Sequence, residues 1–207
     1  MARVTNQSDA GLSGKLIDRV YVKYFDTTYV RKAPTVRKDS RTRGQLLNQQ
    51  RFREINRFCK QFKNTPIARI WQDAAVNTTG YRLFLKANSS AFAKDGSMGD
   101  YRLLRLTTGK LLLPLEITGQ REVAEPATIR VCWTQDHHIG GERLRDELMV
   151  MAQANGVFSG MTPTGLGRRS CGGTFPLPLS FEGATHLYLF MASSDRWDYS
   201  QSFCLEI

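Results

Sequence analysis

Apolar and polar positions alternate most clearly over Thr128–Trp133, where Ile129, Val131 and Trp133 share one face and Arg130 and Cys132 take the other. A period of two is the mark of a half-buried strand. Short runs rich in branched and aromatic residues recur through the second half of the chain: Leu103–Leu106, Leu111–Ile117, Leu148–Ala152, Thr174–Leu179, His186–Met191 and Ser202–Glu206. With turn residues between them, these seven segments predict an immunoglobulin-like antiparallel β-sandwich with Trp133 in its core; a barrel is the other closure the same strands allow.

The first hundred residues carry a different pattern. Leu16–Lys23 and Thr27–Lys32, rich in Val and Tyr and parted by Tyr24, Phe25 and Asp26, predict a β-hairpin. Thr42 and Gln45 form a T-x-x-Q capping box, in which hydroxyl and amide satisfy orphan donors at a helix start. Phe52, Ile55, Phe58, Cys59 and Phe62 then recur at helical spacing, placing an apolar stripe on a helix that ends near Asn64. Thr65 followed by Pro66 reads as the N-cap and first residue of a second helix running to about Val76, and Tyr81–Asn88 as a short third with Phe84 and Leu85 inward. The polar, glycine- and serine-bearing stretch Asn88–Asp100 reads as a linker. The expected class is α+β, with a basic hairpin, arm and helical region over residues 1–99 and the sandwich over 100–207.

At 207 residues, with 41% hydrophobic residues and 23% charged, the chain has material for a packed core. The net charge of +10 changes the picture because it is not spread evenly. Met1–Ile70 holds sixteen Lys and Arg against five Asp and Glu, net +11, while Trp71–Ile207 holds thirteen against fourteen, net −1. Arg31, Lys32, Arg37, Lys38, Arg41 and Arg43 form the densest run, and Arg51, Arg53 and Arg57 continue it on the first helix. Charges in such density must be solvated or matched by an acidic surface.

Catalytic equipment is sparse. His137, His138 and His186 show no H-E-x-x-H or His-x-His spacing, and no C-x-x-C is present, so no metal site and no cofactor are expected. Gly11-Leu12-Ser13-Gly14-Lys15 lacks the glycine spacing and following hydroxyl of a phosphate loop, and Gly165–Ser170 lacks the context of a dinucleotide loop. Cys171, beside Arg168, Arg169 and the Gly172-Gly173 pair, is the thiol whose pKa neighbouring cations would lower; a glycine-rich loop joining two strands accounts for the same residues. Asp146 with Glu147, and Glu122 with Glu125, read as solvated turn charges. Four cysteines, no two closer than 33 positions, suit free thiols better than a disulfide framework. No apolar signal segment opens the chain and no stretch suffices for a membrane span, so a cytoplasmic protein is expected.

The residues Gly11-x-Ser13-Gly14-Lys15, Tyr29-x-Arg31-Lys32-x-Pro34, Arg41-Thr42-x-x-Gln45 and Phe52 resemble the N-terminal signature of a domain family of unknown function common in Bacteroides-type bacteria. Cys132-Trp133-Thr134, Asp146–Met149, Phe175–Pro178, His186–Phe190 and Ser200–Phe203 are similar to that family's C-terminal strands. Ser40, Gly44 and Gln49 depart from its pattern, where Pro, a helix former and Arg are usual. The resemblance implies the same hairpin, helix and sandwich layout and brings no activity or catalytic residues; similar signatures also look like those of phage-associated proteins.

Together these readings predict a non-catalytic binding or assembly protein. Its basic arm and helix would engage an acidic protein surface within a larger assembly, a phage-like or other multiprotein particle, through Arg31, Lys32, Arg37, Lys38, Arg41, Arg43, Arg51, Arg53 and Arg57. Sequence-nonspecific nucleic-acid binding, with Tyr21, Tyr24, Phe25 and Tyr29 as stacking residues, is the alternative. An enzyme centred on Cys171 is a second alternative. The hairpin, marginal alone, leaves homo-oligomer formation by strand addition open.

Overall fold

A computed structural model describes residues 2–3, 13–34, 41–125, 127–134 and 138–207. The chain is α+β with antiparallel sheets and divides into two compact units, Met1–Thr42 and Arg43–Ile207. The boundary expected near residue 100 falls inside the second unit.

In the first unit, β1 (Ala2–Arg3), β2 (Gly14–Leu16), β3 (Arg19–Tyr24) and β4 (Thr27–Lys32) form one antiparallel sheet in the order β1-β4-β3-β2. The hairpin turns at Phe25-Asp26, with Tyr24 paired to Thr27, so Tyr24 belongs to the strand. The expected first strand over 16–23 is broken by a turn at Ile17-Asp18 that lets Leu16 pair with Arg19. Among the described residues of this sheet only Tyr21 and Thr28 are buried. Positions 4–12, with the Gly11-Leu12 part of the phosphate-loop-like segment, and positions 35–40, with Arg37 and Lys38, lie outside the described residues.

The second unit is built in three layers. The helices α1 (Arg43–Lys60), α2 (Pro66–Asp73) and α3 (Gly80–Asn88) form the first. The second is a sheet with path β12-β11-β7-β8, in which β9 also pairs with β7; its strands are β7 (Glu147–Ala154), β8 (Val157–Phe158), β9 (Thr162–Gly167), β11 (His186–Ala192) and β12 (Phe203–Glu206). The third is the sheet β10-β6-β5, made by β5 (Leu115–Arg121), β6 (Thr128–Thr134) and β10 (Gly172–Pro176). Strands β7 and β11 are buried along nearly their whole length because both faces are covered. Leu148, Val150, Leu187 and Leu189 meet Ile129, Val131, Trp133 and Phe175 of the facing sheet. Met149, Met151, Tyr188 and Phe190 point the other way, into a core shared with Ile55, Phe58 and Phe84 of the helices and with Phe62 in the turn after α1.

Several expectations are corrected. Residues 88–100 are no linker: Asn88, Ala91 and Phe92 are buried, and the Asn88 side chain donates to the Phe84 and Arg105 carbonyls and accepts from the Arg105 N–H at 2.8 Å. Leu104 and Leu106 are buried without their segment becoming a strand, because its backbone is bonded by side chains instead of a neighbouring strand. Trp71 Nε1 donates to the Leu106 carbonyl at 2.9 Å, and the Leu106 N–H donates to Ser202 Oγ at 2.9 Å. The strand expected over 111–117 starts at Leu115, just after Pro114, which lacks a donor, and runs on to Arg121 with a register shift between Leu115 and Thr118. Gly172 and Gly173, expected in a loop, sit in β10 opposite Cys132 and Val131.

Asp146 is not a solvated turn charge. It is 2% exposed and paired with Arg168, 3% exposed, at 3.4 Å; Arg168 also donates to the Leu112 carbonyl at 2.7 Å. Burial nonetheless outweighs that guanidinium and holds the Asp146 carboxyl above its ordinary range. Glu122 is also engaged, in an ion pair with Arg130.

Candidate partner-binding site

The site begins with the two faces of α1. Ile55, Phe58 and Cys59 turn inward, and Phe58 alone stacks on or edges against Phe62, Phe84, Phe92 and Phe158. Arg53, Arg57 and Lys60, spaced by four and three, share the outward face. They line a shallow groove with Gln49, Phe52 and Asn56. Phe52, expected on the inward stripe, is 56% exposed, and Leu46 and Leu47 are exposed with it. The first eight residues of α1, 43–50, carry no buried side chain, so this end of the helix extends beyond the packed core.

Of the nine expected partner-binding residues, the structure brings Arg43, Arg51, Arg53 and Arg57 onto α1. Arg51 is half-buried and spends one guanidinium nitrogen on the Ser89 carbonyl at 2.7 Å, so its role is to tie α1 to the end of α3. Arg57 is paired with Glu54 at 2.8 Å, an exposed pair of the kind worth about 0.3–0.5 kcal/mol. Arg43 and Arg53 are exposed and make no ion pair among the described residues. Lys60 and Lys63 are in the same condition. Arg31 and Lys32 are exposed on opposite faces of β4 in the first unit, Arg41 is exposed, and Arg37 and Lys38 lie outside the described residues.

Where α1 ends, a cleft of about 360 Å³ opens between α1, α2 and α3. Cys59, Phe62, Ile67, Trp71 and Phe84 form its buried floor, and Lys60, Lys63, Ala68, Gln72 and Tyr81 stand around them. Asn56 and Lys60 belong both to this cleft and to the cationic groove, so the two are continuous. The Tyr81 hydroxyl donates to Asn56 Oδ1 at 2.8 Å, the Asn56 amide donates to the Phe52 carbonyl at 3.0 Å, and Gln72 Oε1 accepts from the Gly80 N–H at 3.0 Å. Burial pushes the Cys59 thiol up to about 12, which keeps it neutral and inert as part of an apolar wall.

Local sequence explains the cleft. The short α2 starts at Pro66 with Thr65 in extended conformation, but the Thr65 hydroxyl donates backward to the Phe62 carbonyl at 2.8 Å and makes no cap bond to α2. Residues 74–79 then reverse the chain, and α3 opens with a true side-chain cap in which Thr79 accepts from the Arg82 N–H. Gly80 is required where α3 crosses α2: a Cβ there would lie 2.4 Å from the Gln72 backbone nitrogen.

Other candidate chemistry is dispersed. Cys171 takes the left-handed conformation at φ 53° after the 3₁₀ turn Arg168–Ser170, and its thiol lies 3.6 Å from the Arg169 carbonyl, away from the helical cleft. His186 sits at the start of β11 against Thr185, Gln153 and the Tyr101 ring. Among the described residues no group of three His, Cys, Asp or Glu side chains is placed to hold a metal ion, and His137 lies outside them. No described helix is long and apolar enough to cross a membrane. Searches against family models, curated proteins and solved structures each returned no match for this chain.

Proposed function

We propose that the protein is a non-catalytic binding and assembly protein whose α1 face engages an acidic protein partner. The observation that carries the reading is the outward row Arg53, Arg57 and Lys60, extended by Arg43 and Lys63, in which only Arg57 is neutralised by a carboxylate among the described residues. The exposed Leu46, Leu47 and Phe52 on the same helix support a protein partner, since apolar side chains gain from burial in an interface. The remainder of the second unit acts as the scaffold, and we read it as an immunoglobulin-like sandwich. Supporting that reading, β6 lies between β5 and β10, and β11 lies between β7 and β12, with all pairings antiparallel.

Nucleic acid remains the alternative partner, because Val20, Val22, Tyr24 and Tyr29 share a face of the first unit's sheet with Lys15 and Arg31. Affinity for a glutamate-rich peptide and for single-stranded DNA, measured by fluorescence anisotropy across salt concentrations, tests the choice. The reading expects peptide binding that is lost when Arg43, Arg53 and Lys60 are changed together to Glu. DNA binding with a steep salt slope and no peptide binding overturns it.

A further inference from the structure

We propose that the cleft between α1, α2 and α3 receives an apolar anchor residue of the same acidic partner segment, so that the cations supply attraction and the cleft supplies specificity. The inference rests on the acidic-partner reading above and deepens it.

Volume, polarity and charge each narrow the occupant. A cavity of about 150 Å³ lined by aliphatic and aromatic groups holds a benzene ring. At about 360 Å³, the cleft accommodates one large aromatic side chain or two branched aliphatic ones. The uncharged polar side chains at its mouth are engaged: the Tyr81 hydroxyl by Asn56 Oδ1, the Asn56 amide by the Phe52 carbonyl, and the Gln72 side-chain oxygen by the Gly80 N–H. Little is left to read the hydrogen-bonding edge of a nucleobase, whereas an apolar side chain asks for nothing. Leaving polar edges unpaired in such a site would carry a desolvation cost that an apolar group avoids. Lys60 and Lys63 at the mouth then select what flanks the anchor, namely Asp or Glu. The groove shared through Asn56 and Lys60 carries the flanking chain along α1 past Arg57 and Arg53. An acidic segment with one Phe, Trp or Leu-rich turn, in an extended or helical conformation, matches this arrangement.

The test uses the full chain and two labelled glutamate-rich peptides that differ only at the centre, one with Phe and one with Ser. The Phe peptide is expected to bind about tenfold more tightly. Ala68→Leu, which fills the cleft from its rim, removes that advantage and leaves the Ser peptide's affinity unchanged; circular dichroism checks that the helices persist. As a measurement independent of that variant, the emission of Trp71 in the cleft floor shifts with the Phe peptide only, and Trp71→Phe abolishes the shift while Trp133 and Trp197 remain. Equal affinity for both peptides overturns the anchor and leaves the acidic-partner reading standing. Failure of both peptides to bind overturns the two together. Binding of oligothymidylate that Ala68→Leu weakens as much as it weakens the Phe peptide assigns the cleft to a base and also overturns the anchor.

Discussion

The central sheet of the second unit has two covered faces, and they are covered differently. On one, β5, β6 and β10 close over Leu148, Val150, Leu187 and Leu189 with a core of aliphatic side chains together with Trp133 and Phe175. On the other, three helices of unequal length rest on Met149, Met151, Tyr188 and Phe190 and leave a cleft between themselves. Both layers rest on the central sheet by side-chain packing, but ladder hydrogen bonds tie β5, β6 and β10 to one another, while the helical layer has only a few specific bonds such as Trp71 to Leu106 and Arg51 to Ser89. A closed face gives stability and an incompletely closed face gives a site, which is why the cations of α1 matter where they are.

The largest expected effect lies on the closed side. Asp146→Ala leaves Arg168 buried without its carboxylate, a change of the class that costs about 3–5 kcal/mol. At roughly 2–4 °C per kcal/mol for a unit of this size, calorimetry should record a fall in Tm on the order of 10 °C; an unchanged Tm would show that the pair carries no such weight. Leu189→Ala follows, at about 2–5 kcal/mol, and should lower the stability of the whole second unit in one cooperative step. Hydrogen exchange sharpens the contrast: amides of β7 and β11 should exchange only on global unfolding, and those of α2 and α3 at lower free energy. Equal protection of the two sets would erase the distinction between the faces.

Smaller effects separate the helical side further. The Cys59 thiol is pushed from about 9 to about 12 and the Cys204 thiol to about 11, both mainly by burial. Well below pH 9 both thiols are neutral folded or unfolded, so nothing changes; the sensitive window runs from there up to about 11 to 12, where the folded thiols ionise. As pH rises through that window the unfolded chain ionises first and stability falls. Cys59→Ala should flatten this alkaline limb in urea titrations at pH 8 and pH 10. Thr65→Ala should cost no more than about 1 kcal/mol, the value of one half-buried hydrogen bond to the Phe62 carbonyl, because the hydroxyl caps nothing in α2.

Where local pattern dominates, the sequence was sufficient. The period-two run over Thr128–Trp133 became β6 with Ile129, Val131 and Trp133 inward, and α1 starts at Arg43, directly after Thr42. Long-range partners were invisible. Asn88 and Ser202 replace ladder bonds for 104–107, and Asp146 finds Arg168 from 22 positions away, so a polar stretch looked like a linker and a buried pair like a solvated charge. One local cue was passed over: Asn155-Gly156, both at positive φ, makes the β7–β8 turn, and Asn-Gly between apolar runs is a strong hairpin signature. The cationic row on α1 was legible residue by residue, but the cleft beside it was not. Its floor joins Cys59 and Phe62 to Trp71 and Phe84, which come together only once α2 and α3 fold back.

The most direct measurement is an amide NMR titration of the full chain with the Phe-anchored glutamate peptide. Shifts should concentrate on Arg53–Lys63, Ala68–Gln72 and Gly80–Tyr81, with β5, β6 and β10 silent. Perturbations confined to the strands, or scattered without saturation, would contradict the assignment of the helical face as the binding face.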